Sequence, residues 1–365
     1  MSDRIIPDRT ISLIVLVLLG FGMVMTASVS GGELQRVVLK QAIFTVLGVA
    51  IMLIVMRIDY GFYCRPVVLG GIIVFTYALL VGCLLSPPIN NTHRWLVVGP
   101  LRAQPSELAK LAIVLFTAFS LTRLKGRSPG RRDLGVFLGV IFGILWLVLS
   151  QPDFGTATSI GLTAAILLFL GGLKIRYYVL ALLAAIPGFY FLVYRVDYRW
   201  KRMLAFFDST TDVRGAGYQV DQSLIAVGSG GIGGRGFAQS TQKLNFLPEA
   251  HNDFIFSIIG EELGLIGVSL LLVLFLILFW KGVQVSLRSE TPFGTLVGLG
   301  ITSMIVIQML INVSVALGLM PAKGMPLPFI SAGGSSLLVN AIAIGILLNI
   351  SSHPRNPHEP PWYEQ

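Results

Sequence analysis

Long apolar segments occupy most of this 365-residue chain and limit what it can fold into. An α-helix needs about 20 apolar residues to cross the hydrocarbon core of a bilayer. The segments that approach or reach this length are residues 11–29, 38–57, 66–86, 105–122, 134–150, 156–172, 177–194, 254–280, 294–317 and 335–351. Hydrophobic residues make up 54% of the chain and charged residues 12%, which excludes a water-soluble globular protein. We predict an all-α polytopic membrane protein of about ten transmembrane helices; nine is the alternative, because the shortest segments are near the lower limit.

The distribution of Lys and Arg predicts the orientation in the membrane. An even number of spans places both termini on one side. With both termini in the cytoplasm, the inner segments hold fourteen Lys and Arg, against five in the short outer loops. We expect a single transmembrane domain over residues 1–365, ending in a short cytoplasmic tail at 352–365. The net charge of +9 suits a protein beside anionic lipids, and no nucleic-acid-binding motif accompanies it.

One hydrophilic segment, residues 195–253, is much longer than the other loops and lies outside the cell on this topology. Its first part is basic and includes Arg202. A glycine-dense run, Gly228–Gly236, follows, and Lys243 comes after that run. Crowded glycines let backbone N–H groups approach an anion, although glycine runs are also ordinary flexible linkers. Together with the acidic residues at its end, the segment is interpreted as one site rather than a spacer.

The long loop ends in Glu249, His251 and Asp253, directly before an apolar helix. Glu261 and Glu262 follow about 12 Å deeper along that helix. A helix N-cap explains Asp253, but it does not explain two acidic side chains at that depth, which would be costly against lipid. We therefore expect chemistry at the membrane surface here, with Asp253 at its centre.

Two shorter outer segments hold further unusual polar residues. Arg94 precedes a predicted helix on which Glu107 and Lys110, three residues apart, share a face. An ammonium inside an apolar segment must pair, snorkel or line a wet cavity, so Lys110 is either paired with Glu107 at the interface or directed at a lipid-headgroup cavity. Asp153 lies in a tight turn between two spans, where it either caps the next helix or contributes to the site.

The last outer segment, residues 318–336, cannot be a simple helix. It contains three prolines and the run Gly333–Ser336, so we predict an irregular or re-entrant stretch packed against protein or water. Lys323 is its sole charge. In such a frame Lys323 is either an anion contact or a structural residue.

Taken together, these motifs resemble the SEDS family (shape, elongation, division and sporulation) over nearly the whole chain. The resemblance is carried by Arg94–Trp95, Gln104–Lys110, Gln151–Thr156, Gly215–Gln219, Leu247–Gly264, Lys323–Gly324, Pro328–Ser331 and Gly333–Ser336. The environments of Lys243 and Lys323 are more similar to the division branch (FtsW and SpoVE) than to RodA. Asn252 departs from the Thr usual in the family, which leaves the hydrogen bonding beside Asp253 open.

The resemblance implies a peptidoglycan glycosyltransferase of the bacterial cytoplasmic (inner) membrane. Such an enzyme polymerises lipid II, an undecaprenyl-pyrophosphate-linked disaccharide pentapeptide, at the outer face of that membrane. The division branch implies a role in septal cell-wall synthesis. The implied partners are a class B penicillin-binding protein, which is the crosslinking transpeptidase, and other membrane proteins of the divisome or elongasome.

This chemistry assigns roles to the candidate residues. Asp253 is the expected general base for the attacking sugar hydroxyl. Cations are needed where the pyrophosphate leaves, and the remaining candidates bind the substrate or orient those cations. These substrate-binding candidates are Arg94, Glu107, Lys110, Asp153, Arg202, Lys243, Glu249, His251 and Lys323. No metal-ligand spacing stands out, so a divalent cation, Mg²⁺ or Mn²⁺, is left open as a cofactor.

Two other functions fit the same general pattern. A lipid II flippase would also have many spans and broken helices, but its charged cavity would have to be reachable from both faces. A noncatalytic scaffold of the cell-wall synthase would tolerate loss of Asp253. The clustering of unusual polar residues on the outer side favours the enzyme over the flippase.

Overall fold

The computed structural model describes residues 7–30, 34–88, 92–99, 101–124, 131–176, 215–243, 247–248 and 250–354, with isolated positions between 178 and 206. The α-helices over these residues are α1 (Arg9–Val29), α2 (Leu34–Val55), α3 (Pro66–Leu85), α4 (Pro105–Leu124), α5 (Arg131–Ser150), α6 (Phe154–Leu170), α7 (Ala216–Gly230), α8 (Ile255–Leu287), α9 (Pro292–Ala316) and α10 (Gly334–Ser351). A short 3₁₀ helix, Tyr60–Cys64, joins α2 to α3. An antiparallel hairpin of β1 (Leu96–Val98) and β2 (Leu101–Ala103) precedes α4, with Val97 opposite Arg102.

The helices confirm a multi-pass membrane protein of the all-α class. Seven of the described helices are long and apolar enough to cross a bilayer: α1, α2, α3, α4, α8, α9 and α10. The shorter α5 and α6 are also apolar and coincide with two predicted spans. Nine of the ten predicted segments therefore correspond to helices, and most of the tenth, residues 177–194, lies outside the described residues.

Local sequence signals explain where several helices begin. Asp8 caps α1, because its carboxylate accepts hydrogen bonds from the backbone N–H groups of Thr10 and Ile11 at 2.9 and 3.1 Å. Pro66 and Pro292 occupy the first positions of α3 and α9, where the missing N–H costs nothing. These starts require no tertiary contact.

α9 lies at the centre of the bundle, in contact with α4, α6, α8 and α10. Small residues allow the close approach that packing between membrane helices needs. A Cβ on Gly300 of α9 would lie 2.6 Å from a side-chain carbon of Val114 on α4 and 2.9 Å from one of Leu167 on α6. This centre supports the non-helical segment between α9 and α10, residues 317–333, which is irregular as its prolines predict.

Two features of the region between residues 215 and 287 differ from the simplest interpretation of the sequence. The long loop contains a helix, α7, and is not hydrophilic coil throughout. α8 is broken at Gly264, whose φ of 64° and ψ of −162° are not helical. Asp253 is not the N-cap of α8, because the helix begins at Ile255 and Phe254 occupies the cap position.

Candidate active site

Asp253 and Arg94 converge on Gly324. The point that a Cβ on Gly324 would occupy lies 2.9 Å from Asp253 Oδ2 and 3.5 Å from Arg94 Nη1. The carboxylate comes from the turn before α8, the guanidinium from the segment before β1, and the glycine from residues 317–333. A side chain on Gly324 would displace these charged groups, so glycine is needed here for space. The structure thus brings opposite charges from three distant segments to one point.

Arg94 keeps donor capacity at this point. Its guanidinium carbon lies 5.8 Å from the ring centroid of Trp95, which supports a cation–π contact. Its Nε is buried and has no hydrogen-bond partner among the described residues. A buried donor without a protein acceptor is costly, and an anionic ligand would relieve that cost.

Lys323 lies beside this point and packs against the start of α6. Its ammonium nitrogen is 5.0 Å from the ring centroid of Phe154, and its Cβ is 3.5 Å from the point that a Cβ on Gly155 would occupy. Burial lowers the pKa of the Lys323 ammonium from its ordinary value. An anion bound beside Lys323 would favour the charged form again, so anion binding here would be coupled to protonation.

Asp153 caps α6 and also ties α6 to the start of α4. One carboxylate oxygen accepts from Thr156 N at 3.1 Å, and the other accepts from Gln104 Nε2 and Ser106 Oγ, both at 2.9 Å. Asp153 is only 3% exposed. The structure therefore gives Asp153 the capping role, and a direct contact with substrate stays a prediction.

Glu107 and Lys110 pair inside the bundle rather than snorkelling at its edge. Lys110 Nζ is 2.9 Å from Glu107 Oε2 and donates to Gln308 Oε1 of α9 at 2.6 Å. Gln308 in turn donates to Pro326 O at 2.8 Å and to Ser336 Oγ at 3.0 Å. The Lys110 side chain is 1% exposed, so the pair links α4, α9 and residues 317–333, and a direct contact of Lys110 with a headgroup stays a prediction.

Lys243 contacts Glu262 of α8. Its ammonium is 2.9 Å from Glu262 Oε1 and 3.3 Å from Ser28 Oγ of α1. Glu262 also accepts from Ser28 Oγ at 2.7 Å and from the backbone N–H groups of Ala238 and Ser240 at 3.1 and 3.4 Å. The cation is thus already neutralised by the chain, and its predicted contact with substrate has no support from this geometry.

Glu261 is surrounded by the same loop. It accepts from the backbone N–H and the Oγ1 of Thr241, both at 3.0 Å, from Ser240 Oγ, and from Arg235 Nη1 at 3.3 Å. Glu261 and Glu262 are both 0% exposed. The loop after the glycine-dense run does approach an anion, as the sequence suggests, but the anion is this pair of carboxylates. We call Glu261, Glu262 and residues 235–243 around them the carboxylate clamp.

Main-chain bonds complete the carboxylate clamp at the break in α8. In an unbroken helix the N–H groups of residues 265 and 266 would bond to the carbonyls of 261 and 262. Here they donate to Gly231 O and Ile232 O at 2.9 and 3.2 Å. The released carbonyls of Glu261 and Glu262 accept instead from Arg235 N and Gly236 N at 2.9 and 3.0 Å. The loop is therefore inserted into the helix break, and no backbone bond is lost.

The remaining candidates are placed as follows. His251 is half-buried two residues before Asp253, and its carbonyl accepts from Ala332 N at 3.2 Å. Arg202 and Glu249 lie outside the described residues. Over the described part of the chain, no group of three or more His, Cys, Asp or Glu side chains could hold a metal ion.

Three polar residues at this site were not singled out from the sequence: Gln308, Asn312 and Ser331. Each bonds to the backbone of the turn before α8 or of residues 317–333, and Gln308 and Asn312 are one helical turn apart on α9. The available signal was a pair of amides four residues apart in an otherwise apolar helix, because polar residues inside membrane helices are expensive and often functional.

Comparisons with known proteins give one consistent family. The family model described as cell cycle protein, for FtsW, RodA and SpoVE, matches residues 9–356. The chain is 40% identical to the probable peptidoglycan glycosyltransferase FtsW of Geobacter metallireducens, over 94% of both proteins. It is 38% identical to the stage V sporulation protein E of Bacillus subtilis, over 96% of this chain and 98% of that protein. It is 35% identical to the peptidoglycan glycosyltransferase MrdB of Escherichia coli, over 96% of this chain and 95% of that protein.

Solved structures share the fold. One solved structure is titled "Structural coordination of polymerization and crosslinking by a peptidoglycan synthase complex". A chain of that structure matches with a TM-score of 0.78 and 28% identity, over 94% of this chain and 97% of that one. The rod shape determining protein RodA of Thermus thermophilus matches with a TM-score of 0.69 and 25% identity, over 94% of this chain and 96% of that one.

Proposed function

This chain belongs to the FtsW, RodA and SpoVE family of cell cycle proteins, and we propose that it is a peptidoglycan glycosyltransferase. Its substrate in this proposal is lipid II, which it polymerises into glycan strands. The observation that carries the proposal is the convergence of Asp253 and Arg94 on Gly324, with Lys323 next to it in the chain. One carboxylate and one cation at the same point, with a second cation on the neighbouring residue of the chain, match the needs of a sugar transfer with an anionic leaving group.

The chemistry divides between these residues. Asp253 takes the proton from the 4-hydroxyl of one sugar, and that oxygen attacks the anomeric carbon of the donor. The bond from the anomeric carbon to the lipid pyrophosphate breaks, and Arg94 and Lys323 offset the charge that develops on the leaving group. An α-linked donor gives a β-linked product by this direct displacement, so no second nucleophilic carboxylate is required.

A divalent cation, Mg²⁺ or Mn²⁺, would add positive charge where the leaving group becomes negative, but over the described residues no cluster of three or more His, Cys, Asp or Glu side chains would hold it. Polymerisation measured in a chelator and then with each cation restored tests this point. Full activity in the chelator would remove the cation from the mechanism.

We propose that the site faces outward from the bacterial cytoplasmic membrane, with both termini in the cytoplasm. The excess of Lys and Arg in the predicted inner segments supports this orientation. The FtsW and SpoVE relatives support a role in septal synthesis during division. The structural relative described as a peptidoglycan synthase complex supports a partner that crosslinks the strands, which we propose is a class B penicillin-binding protein within the divisome.

The experiment is polymerisation of labelled lipid II by the purified full-length protein. Asp253→Asn removes the base while keeping the shape of the side chain, and the loss of a general base lowers rates by about 10²–10⁴-fold. Asp59→Asn is the matched control, because Asp59 is an exposed carboxylate that caps the 3₁₀ helix after α2. No polymerisation by the wild type would contradict the enzyme and leave the scaffold as the function, whereas equal polymerisation by wild type and Asp253→Asn would contradict the role of Asp253 as the base.

A further inference from the structure

Asn312 holds the two backbone segments that form the candidate site. It lies on α9 and is 2% exposed. Its amide nitrogen donates to Asp253 O at 2.8 Å and to Met325 O at 2.7 Å. An amide nitrogen carries two hydrogens, so both are used, one for the segment that carries Asp253 and one for the segment that carries Lys323 and Gly324.

The backbone before α8 is held at each residue in turn. Three consecutive carbonyls are bonded to other segments: His251 O accepts from Ala332 N at 3.2 Å, Asn252 O from Ser331 Oγ at 2.5 Å, and Asp253 O from Asn312. The turn that presents the Asp253 carboxylate therefore has little freedom to move relative to Gly324. Of the three bonds, only the one from Asn312 is made to the backbone of Asp253 itself.

A buried amide inside an apolar helix needs an explanation. Ile311 and Val313 flank Asn312, and a polar group at such a position is costly unless it is hydrogen-bonded. The two carbonyls that it satisfies belong to the two segments whose spacing sets the distance between the Asp253 carboxylate and Gly324.

We propose that Asn312 is a positioning residue for the transfer reaction. It sets the place of the Asp253 carboxylate relative to Arg94, Lys323 and Gly324, and it acts from inside the bundle through the backbone without touching the substrate. This inference rests on the proposed function, because the placement of Asp253 matters only if Asp253 acts on the substrate.

The chain offers a matched control in Asn349 of α10. Its amide nitrogen donates to Met56 O at 2.9 Å, its amide oxygen accepts from Tyr60 N at 2.8 Å, and the residue is 4% exposed. Asn349 therefore resembles Asn312 in side chain, in burial and in its bonds to the backbone of a connecting segment. It differs in that this segment is the turn after α2.

The experiment compares Asn312→Ala with Asn349→Ala in the full-length purified protein, with kcat and KM for labelled lipid II and the melting temperature measured for each. A displacement of about 1 Å in a catalytic group costs about 10²-fold, so we expect Asn312→Ala to lower kcat about 100-fold with KM little changed. We expect Asn349→Ala to lower the melting temperature by a similar amount and to leave kcat near that of the wild type.

Asn312→Asp gives a second readout that a purely structural role would not move. A carboxylate donates no hydrogen bond, whereas a protonated carboxyl donates one. The activity of Asn312→Asp relative to wild type should therefore rise as the pH is lowered from neutral. This variant also keeps the shape of the side chain, so it remains informative if Asn312→Ala fails to fold.

The outcomes separate this inference from the proposed function. A wild-type kcat in Asn312→Ala, or equal losses of kcat in Asn312→Ala and Asn349→Ala, would overturn the positioning role. A constant ratio of Asn312→Asp to wild-type activity across pH would also overturn it. Failure of the proposed function would be seen elsewhere, as no polymerisation by the wild type in the same assay.

Discussion

Glu261 and Glu262 of the carboxylate clamp lie fewer than ten residues after Asp253 in sequence, but their carboxylates differ from that of Asp253 in burial and surroundings. Glu261 and Glu262 are 0% exposed and their oxygens accept from side chains and backbone of one loop. Asp253 is only partly buried and lies with Arg94 at a glycine that leaves space. A carboxylate held by several donors of one loop is fixed in place, whereas a partly exposed one can be reached by a ligand. The depth of an acidic residue therefore does not identify it as catalytic.

The largest expected difference between the two regions is in activity. Asp253→Asn should lower the polymerisation rate by about 10²–10⁴-fold with little change in melting temperature, because the base is lost while the fold contacts of its backbone remain. Glu261→Gln, the matched change in the carboxylate clamp, should lower the melting temperature with little change in the polymerisation rate. Rates with labelled lipid II and thermal unfolding, measured on the same samples, check both. A greater loss of rate in Glu261→Gln would reverse the assignment of the two regions.

A second difference concerns stability. Glu262→Leu should destabilise the protein by about 3–5 kcal/mol, because it leaves Lys243, whose side chain is 9% exposed, as an uncompensated buried charge. The double variant Glu262→Leu with Lys243→Met should recover much of that loss, since it removes both charges. Thermal unfolding of the three proteins in the same detergent measures this coupling. Equal stability of the single and double variants would show that the unpaired Lys243 charge is not the source of the loss.

A third difference concerns the glycines. Gly324→Ala should lower the rate about tenfold or more with a small effect on stability, because its Cβ would lie 2.9 Å from Asp253 Oδ2 and displace that side chain. Gly234→Ala should act on stability instead, because its φ is +80° and its Cβ would lie 2.2 Å from Glu262 O. In each variant, the rate divided by the folded fraction distinguishes an effect on activity from an effect on stability. Parallel losses in both variants would contradict the distinction.

The smallest expected effect is in the pH profile. Burial lowers the pKa of Lys323, in the segment between α9 and α10, so its ammonium loses the proton at a lower pH than an ordinary lysine. The rate should therefore fall on the alkaline side as Lys323 becomes neutral. Lys323→Arg, which stays protonated, should extend the active range to higher pH, although at a lower maximal rate. Identical alkaline limits in both proteins would remove Lys323 from the pH dependence.

Sequence alone identifies the features that depend on local patterns. Hydrophobic length predicts the spans, and three prolines predict the irregular segment before α10. Each of these follows from residues a few positions apart, so no tertiary information is needed. A cap at Asp153 and a pair of Glu107 with Lys110 were each one of two alternatives that the local spacing allowed.

The features that sequence does not identify depend on distant contacts. α7 is missed because Ala216–Gly230 is mixed in polarity and rich in glycine. The break at Gly264 is missed because one glycine in an apolar run does not distinguish a break from close packing. The expectation that Asp253 opens the helix of Glu261 and Glu262 was wrong, because α8 begins at Ile255, and the loop that holds the two glutamates cannot be identified from neighbouring residues.

The insertion of the loop into α8 has a consequence for chain length. Main-chain bonds join residues 231–236 to residues 261–266, so the polypeptide between them forms a ring that is closed on a single helix. Adding or deleting residues within 231–236 or within 261–266 would shift one set of bonds against the other. Relatives or engineered variants that change the length of the chain should therefore do so outside these two stretches.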